Sequence, residues 1–322
     1  MKLGIVGNGF IVKTFLEMAR GIENLEIVSI CVREKSLELG KELADKYGIQ
    51  RVFTSYKEFL EDEIDTVYIG IINNLHYEYA KTAIEKGKHI WCEKPFTRTA
   101  EEARELFDLA EKNNVYLLEA ITTIQTPMFK KAEEHLEKIG KVRLINATFC
   151  QYSSRYDNYL KGIIAPVFKK ELFGGALVDL NIYNIHFVVA LFGKPESVAY
   201  FPNLGKNGVD ISGVLVMDYG DFKAVCSASK DSASPSFATV QGEKGYLKIN
   251  STLNSCDELI VSAGNYEGYF KPENNFGRMY YEIAEFIRII SENDKTAYEK
   301  LKTQTISVME VLETAYNSME SK

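Results

Sequence analysis

The sequence predicts an α/β protein: an N-terminal doubly wound parallel sheet, then an α+β domain with a large, mainly antiparallel open sheet. Three observations carry this. Short apolar runs alternate with helical spacing through the first 120 residues. A glycine-rich turn separates the first such run from the first helix. Beyond residue 120 the rhythm changes to apolar runs joined by hairpin turns. Strands that alternate with helices of 10–15 residues form βαβ units on a parallel sheet, whereas runs of hairpins form antiparallel sheets.

"KLGIVG" (2–7) reads as a fully buried strand and "FIVKTFLEMAR" after it has helical spacing. The pattern continues with strands at 25–32, 65–71, 89–93 and 115–120, and helices at 36–48, 76–88 and 99–114. A glycine closes the 36–48 helix, and Thr99 with Glu102 three residues later forms a capping box. Next come a helix at 127–139, a strand-like run at 142–153 and a long helix at 175–193. "YGDF" and "GEKG" sit between apolar runs as hairpin turns do, and two amphipathic helices close the chain. The expected division is 1–120, the parallel-sheet domain, and 121–322, the α+β domain.

The bulk composition narrows the function. A chain of 322 residues with 46% hydrophobic and 26% charged residues has the composition of a globular protein with room for two cores. A net charge of -7 argues against a nucleic-acid partner, which needs a basic footprint. The five cysteines are scattered without CxxC spacing, and the four histidines include no i, i+3 or i, i+4 pair, so no metal site is expected. No apolar run approaches the ~18–20 residues that span a membrane, and the glycine-rich start does not read as a signal peptide. The expectation is a cytoplasmic protein with no membrane partner.

"GIVGNGFIV" places Gly7 and Gly9 between the first strand and first helix. Such a turn lets a pyrophosphate approach the backbone at the helix N-terminus. Val12 stands at the third fingerprint position, so the helix is expected to pack slightly further from the sheet. The second strand ends in "CVREKS", with Arg33 where an NAD-type acid is expected and Lys35 nearby. Arg pairs with a 2′-phosphate in a forked geometry, which favours NADP over NAD. Solvated loop charges give the same pattern, and an inward Glu34 reverses the preference.

"KHIWCEKPF" (88–96) runs a buried strand straight into Glu93, Lys94 and Pro95. Ligands of open α/β sheets bind beyond the carboxyl ends of the strands. An ammonium there can donate to a substrate oxygen and lower the pKa of a neighbouring acid. A structural Glu-Lys pair is the plain alternative.

At this point the chain resembles the Gfo/Idh/MocA oxidoreductases. Four stretches carry the likeness: "GIVGNGFI" at 4–11, "INNLHYEYAKTAIEKGKHIWCEKPF" at 72–96, "LLEAITTIQTP" at 117–127 and "GGALVDLNIYNIH" at 174–186. The resemblance implies hydride transfer between a nicotinamide and a hydroxyl or carbonyl carbon of a sugar-, polyol- or diol-like small molecule. It makes Lys94 catalytic, with a bond to Pro95 that is often cis. It assigns the cofactor to Gly7, Asn8, Gly9, Phe10 and Ile11, to Ile72, Asn73, Asn74 and His76, and to Glu93, Lys94 and Pro95, with Arg33 and Lys35. It matches Asp179 and Tyr183 to the family's Asp followed four residues later by His or Tyr. Tyr183 is then the acid/base, as in members similar to dihydrodiol and xylose dehydrogenases. Lys94 lowers its pKa from ~10 to near 7, a task of about 4 kcal/mol. Asp179 holds the substrate or the lysine, and His186 is the reserve acid/base. Relatives form homodimers or homotetramers through the C-terminal sheet.

The spacing is consistent with that assignment: on an α-helix, positions 179, 183 and 186 fall within roughly 60°. A polar stripe on an otherwise apolar helix is expected to face a cleft, although a satisfied network packing the two domains gives the same pattern. Two departures stand out, Asn181 where the family often has glycine and Ile124 where an Arg is common. Arg155, Tyr156 and Asp157 are further candidates for the cleft. "YEYAK" (Tyr77 to Lys81) and "YEKLK" (Tyr298 to Lys302) mimic the Tyr-x-x-x-Lys of short-chain dehydrogenases, but exposed pairs at helical spacing explain them. A non-catalytic dinucleotide sensor on the same fold is the rival function; retention of Lys94, Asp179 and Tyr183 favours catalysis.

Overall fold

Leu3, Ile5 and Val6 are buried because β1 (Lys2–Val6) is a central strand covered on both faces. The computed structural model describes residues 1–274 and 276–320. By its internal contacts the chain forms two units, Met1–Ala120 with Met279–Thr305, and Ile121–Arg278 with Ile306–Lys322.

In the first unit β1 is followed by α1 (Phe10–Met18), β2 (Glu26–Cys31), α2 (Leu37–Tyr47), β3 (Arg51–Phe53) and α3 (Tyr56–Leu60). Then come β4 (Thr66–Ile69), α4 (His76–Glu85), β5 (His89–Glu93), α5 (Ala100–Lys112) and β6 (Leu117–Ala120). All strand pairs are parallel, in the order β3-β2-β1-β4-β5-β6. The strand order reverses direction between β1 and β4, the place where such sheets bind ligands. Gly48 ends α2 at φ 70°. The Glu102 amide donates to Thr99 Oγ1 at 3.1 Å, as the capping box requires. The Glu102 carboxylate accepts from the Arg98 amide at 2.9 Å, one residue earlier than in the standard box.

The expected division needs one amendment: the segment Met279–Thr305 belongs with the N-terminal unit. Its apolar face supplies core that the sheet lacks. Phe286 packs on Trp91 with ring centres 5.5 Å apart, Tyr298 lies 5.0 Å from Tyr116, and Thr305 Oγ1 donates to Glu119 at 2.8 Å.

In the second unit α6 (Pro127–His135), β7 (Val142–Cys150) and α7 (Tyr156–Leu160) precede a π-helical turn, Leu177–Asn181, that runs into α8 (Ile182–Phe192). There follow β8 (Ser197–Leu204), β9 (Asp210–Asp218), β10 (Lys223–Ser229), β11 (Phe237–Gly242), β12 (Gly245–Ile249), β13 (Leu259–Ala263) and β14 (Tyr266–Phe270). The order is β14-β13-β12-β11-β7-β10-β9-β8, antiparallel throughout except for the β7–β10 pair. "YGDF" joins β9 to β10 and "GEKG" joins β11 to β12, as the turn residues anticipate. The chain closes with α9 (Arg278–Glu292) and α10 (Lys295–Glu320).

The stretch Lys170–Phe192 is, by length and composition, long and apolar enough to cross a membrane, which corrects the expectation that no run approaches that length. Its apolar window is 72% buried inside the fold, the pattern of a core helix.

Candidate active site

The carboxyl edge of the first sheet is built around Gly7. Its φ is 115°, and a Cβ there would lie 2.3 Å from the Gly70 carbonyl oxygen, so only glycine is accommodated. Gly9 serves the opposite need. It caps α1, and where its Cβ would point there is no atom within 4 Å, so the backbone is open to an approaching group. Val12 is completely buried, and its room comes from Gly70, where a Cβ would lie 2.7 Å from Val12 Cγ2. The bulk at the third fingerprint position is thus absorbed by a glycine after β4.

Two polar atoms beside this cradle are buried with no protein partner, Asn8 Nδ2 and Asn74 Oδ1. Such atoms are costly unless a ligand or water satisfies them. Phe10 is 72% exposed and Ile11 is half-buried. Ile72 precedes the short 3-10 turn Asn73–Leu75 that leads into α4. Arg33 and Lys35 are exposed on the turn after β2, and neither has a carboxylate partner among the described residues. An open glycine turn, the amides at the start of α1, orphaned Asn groups and unpaired cations together suit a dinucleotide phosphate chain.

Glu93 and Lys94 lie at the end of β5, two strands from β1 along the same edge, a span of about 10 Å. Glu93 is buried and accepts from the Tyr68 hydroxyl at 2.6 Å. Tyr68 stacks on Phe15 at 4.1 Å, and burial together with the Glu93 charge pushes its hydroxyl well above the usual tyrosine range. Lys94 is half-buried, and its bond to Pro95 is cis, as the resemblance implies. His76 stands behind this turn. The ring is completely buried, with Nδ1 2.9 Å from the Pro95 carbonyl oxygen and Nε2 3.3 Å from that of Ile71. Burial lowers its pKa, and the ring stands as a strut between the ends of β4 and β5.

In the second unit Asp179, Tyr183 and His186 do not lie on the one regular α-helix that their spacing predicts. Residues 177–181 wind as a π-helix, whose wider turn shifts the phase of everything after it. Asp179 remains partly exposed and pairs with Lys230. Tyr183 is nearly buried, its ring 5.8 Å from that of Phe149, and His186 is completely buried. Asn181 and Asn184 face the sheet. Asn181 Nδ2 donates to Cys226 O at 3.0 Å, and Asn184 Nδ2 donates to Asn181 Oδ1 at 2.8 Å and to Ser227 O at 3.1 Å. The asparagine at the family's glycine position is therefore an anchor to β10.

Around the same helix start, Asp210 accepts the Leu177 amide and the Tyr200 hydroxyl, each at 2.7 Å. Burial pushes its carboxyl up to about 6. Arg155 is exposed, Tyr156 packs on Phe168 at 6.0 Å, and Asp157 accepts from Tyr152 at 2.6 Å.

Residues 1–120 match the model of an oxidoreductase family with an NAD-binding Rossmann fold, GFO_IDH_MocA, and residues 129–248 match the GFO/IDH/MocA C-terminal domain. The chain belongs to the Gfo/Idh/MocA family. It is 35% identical to a scyllo-inositol 2-dehydrogenase (NADP(+)) of Bacillus subtilis, over 99% of this chain and 97% of that one. It is 31% identical to a trans-1,2-dihydrobenzene-1,2-diol dehydrogenase of Xenopus tropicalis, over 81% and 78%. Among solved structures, a 3-ketoreductase from Actinomadura kijaniata in complex with NADP and TDP-benzene superposes at a TM-score of 0.87. It shares 18% identity over 99% of this chain and 97% of its own.

As a Gfo/Idh/MocA protein the chain is an oxidoreductase that uses a nicotinamide dinucleotide. The two Tyr-x-x-x-Lys matches are structural, but not both as exposed pairs. Tyr77 donates to Glu105 at 2.6 Å near the surface, whereas Tyr298 is buried against Tyr116 and Phe107. Lys230 escaped the sequence reading; a single lysine after a strand carries no motif. Among the described residues no group of three or more His, Cys, Asp and Glu side chains is placed to hold a metal.

Proposed function

We propose that this protein is an NADP-preferring dehydrogenase/reductase acting on a CH–OH carbon of a sugar, polyol or diol. Relatives named for scyllo-inositol, D-xylose and dihydrobenzenediol support the substrate class. The observation that carries the reading is Lys94, held by a His76-braced turn on the same sheet edge as the open Gly9 cradle.

Gly7, Asn8, Gly9, Phe10 and Ile11 hold the pyrophosphate side of the cofactor, with Ile72, Asn73 and Asn74 beside them. Arg33 and Lys35 recognise the 2′-phosphate. The nicotinamide supplies the hydride acceptor or donor. Lys94 donates a hydrogen bond to the substrate oxygen, which favours the charge that grows there as its proton leaves. Tyr183 takes that proton in oxidation and returns it in reduction. Asp179 accepts from a second substrate hydroxyl. His76 positions the Lys94 turn, and His186 packs within the second unit.

Self-association through the eight-stranded sheet accompanies this reading. Phe201 and Val214 are cross-strand partners, both exposed, and light scattering reports the mass directly. The five free thiols suit a reducing cytoplasm.

The test is a fluorescence titration with NADPH and NADH. A turnover panel follows, of scyllo-inositol, D-xylose, trans-1,2-dihydrobenzene-1,2-diol and levoglucosan. The reading expects tighter NADPH binding and turnover of at least one panel member. Dinucleotide binding with no turnover across the panel would favour the sensor.

A further inference from the structure

The Asp179–Lys230 pair is lopsided. The lysine side chain is 2% exposed, whereas the carboxylate is 32% exposed. Here the cation is sunk and the anion is presented.

Burying an ammonium is expensive, so the structure around it shows what it is held for. The completely buried Phe168 ring lies 4.9 Å from Nζ, a cation–π contact. Asp210 is buried within the field of the same ammonium, which draws its carboxyl pKa down against the larger effect of burial. The Lys230 backbone is pinned on both sides. Its amide donates to Ile211 O at 2.8 Å, and its carbonyl accepts the Ser153 amide at 2.9 Å. The stem therefore starts from a fixed point directly after β10. Asp179, by contrast, sits in the π-helical turn Leu177–Asn181, a rare geometry often met at functional sites.

We propose that Lys230 is a positioning residue: its buried ammonium fixes the Asp179 carboxylate to accept a hydrogen bond from a hydroxyl of an uncharged polyol substrate. The assignment rests on the reading of Asp179 as a substrate-holding group. A carboxylate already matched by a buried ammonium presents hydrogen-bond acceptors without net charge. The pair therefore selects a neutral hydroxyl over a cationic group.

The test compares Lys230→Met, Lys230→Gln, Lys230→Arg, Asp179→Asn and the Lys230→Met/Asp179→Asn double variant. Each is measured with the panel substrate of highest kcat/KM, alongside an NADPH titration and a melting curve. Asp179→Asn and Lys230→Met should each lose roughly 30-fold in kcat/KM, the scale of one charge-assisted hydrogen bond. NADPH affinity should stay within about twofold, and Lys230→Arg should recover most of the loss because it keeps the charge. The double variant should be no worse than Asp179→Asn alone, since both changes act through one carboxylate. Loss in Asp179→Asn with full turnover in Lys230→Met and Lys230→Gln overturns the positioning role alone. Full turnover in Asp179→Asn, or no panel turnover by the unsubstituted enzyme, overturns the reading beneath it. Parallel loss of NADPH binding and melting temperature in both neutral variants, without rescue by arginine, makes Lys230 merely structural and also overturns the proposal.

Discussion

His76 Nδ1 lies 2.9 Å from the Pro95 carbonyl oxygen, and the ring that makes this contact has no exposed surface. The contact braces the turn that carries Lys94. His76→Ala leaves that carbonyl without its partner, which should cost about 1–3 kcal/mol and lower kcat more than NADPH affinity. Urea unfolding beside steady-state kinetics checks this; unchanged kcat would show that the brace is dispensable. The burial-lowered pKa adds a pH effect. Below about pH 6.5, the ordinary histidine value, the unfolded chain takes up a proton more readily than the fold does. His76 therefore contributes stability that is present above that pH and lost as pH falls, and His76→Asn should remove this dependence.

Arg33 and Lys35 are exposed cations without carboxylate partners among the described residues. If they recognise the 2′-phosphate, Arg33→Ala should weaken NADPH binding roughly 10- to 100-fold and leave NADH almost unchanged. Lys35→Ala should do less, because an ammonium makes no forked pair. Equal losses for both dinucleotides in a titration would place the charges on a part of the cofactor that the two share, and no loss for either would assign them to the solvent.

Val12 and Gly70 divide one space between them, with Cγ2 only 2.7 Å from where a Cβ at Gly70 would sit. Gly70→Ala should push α1 outward and weaken dinucleotide binding. Val12→Ala should be mild alone and should rescue Gly70→Ala in the double variant. Calorimetric titration of the four proteins tests this; additive losses would mean that the two sites do not share the space.

Asp210 works against stability in the opposite pH direction from His76. Burial pushes its folded carboxyl up to about 6, above the ordinary aspartate value of about 3.9. A raised folded pKa gives stability that is present below the unfolded value and lost as pH rises through the folded one. The loss across that window is about 3 kcal/mol. Asp210→Asn keeps an acceptor for the Leu177 amide and should flatten the pH dependence of unfolding between pH 4 and 6. An unchanged slope would show that another group carries it.

Much of this architecture is legible in the residues, for a physical reason. Strands buried on both faces, such as β1, β4 and β5, must be continuous apolar runs, and the glycine turn and "EKP" fall at their ends. β3 and α3 escape because three and five residues are too few to show a period. The π-helical turn escapes because the 3.6-residue period is assumed before the wheel is drawn. The amphipathic stripe of α9 shows that it covers a core without showing which one, so its place beside Trp91 is a tertiary fact. His76 and His186 look like chemistry in sequence, yet both are completely buried. Lys230 is the converse, a residue with no signal whose place appears only when β10 delivers it to Asp179.

The central assertion is that Lys94 and Tyr183 transform substrate while other groups retain the cofactor. It is tested most directly by single-turnover measurement of Lys94→Met and Tyr183→Phe, each saturated with NADPH or NADP. Both should bind the dinucleotide with nearly unchanged affinity and lose at least about 100-fold in the hydride-transfer step, the scale of general acid–base and electrostatic assistance. Transfer at the unsubstituted rate in either variant would contradict the account.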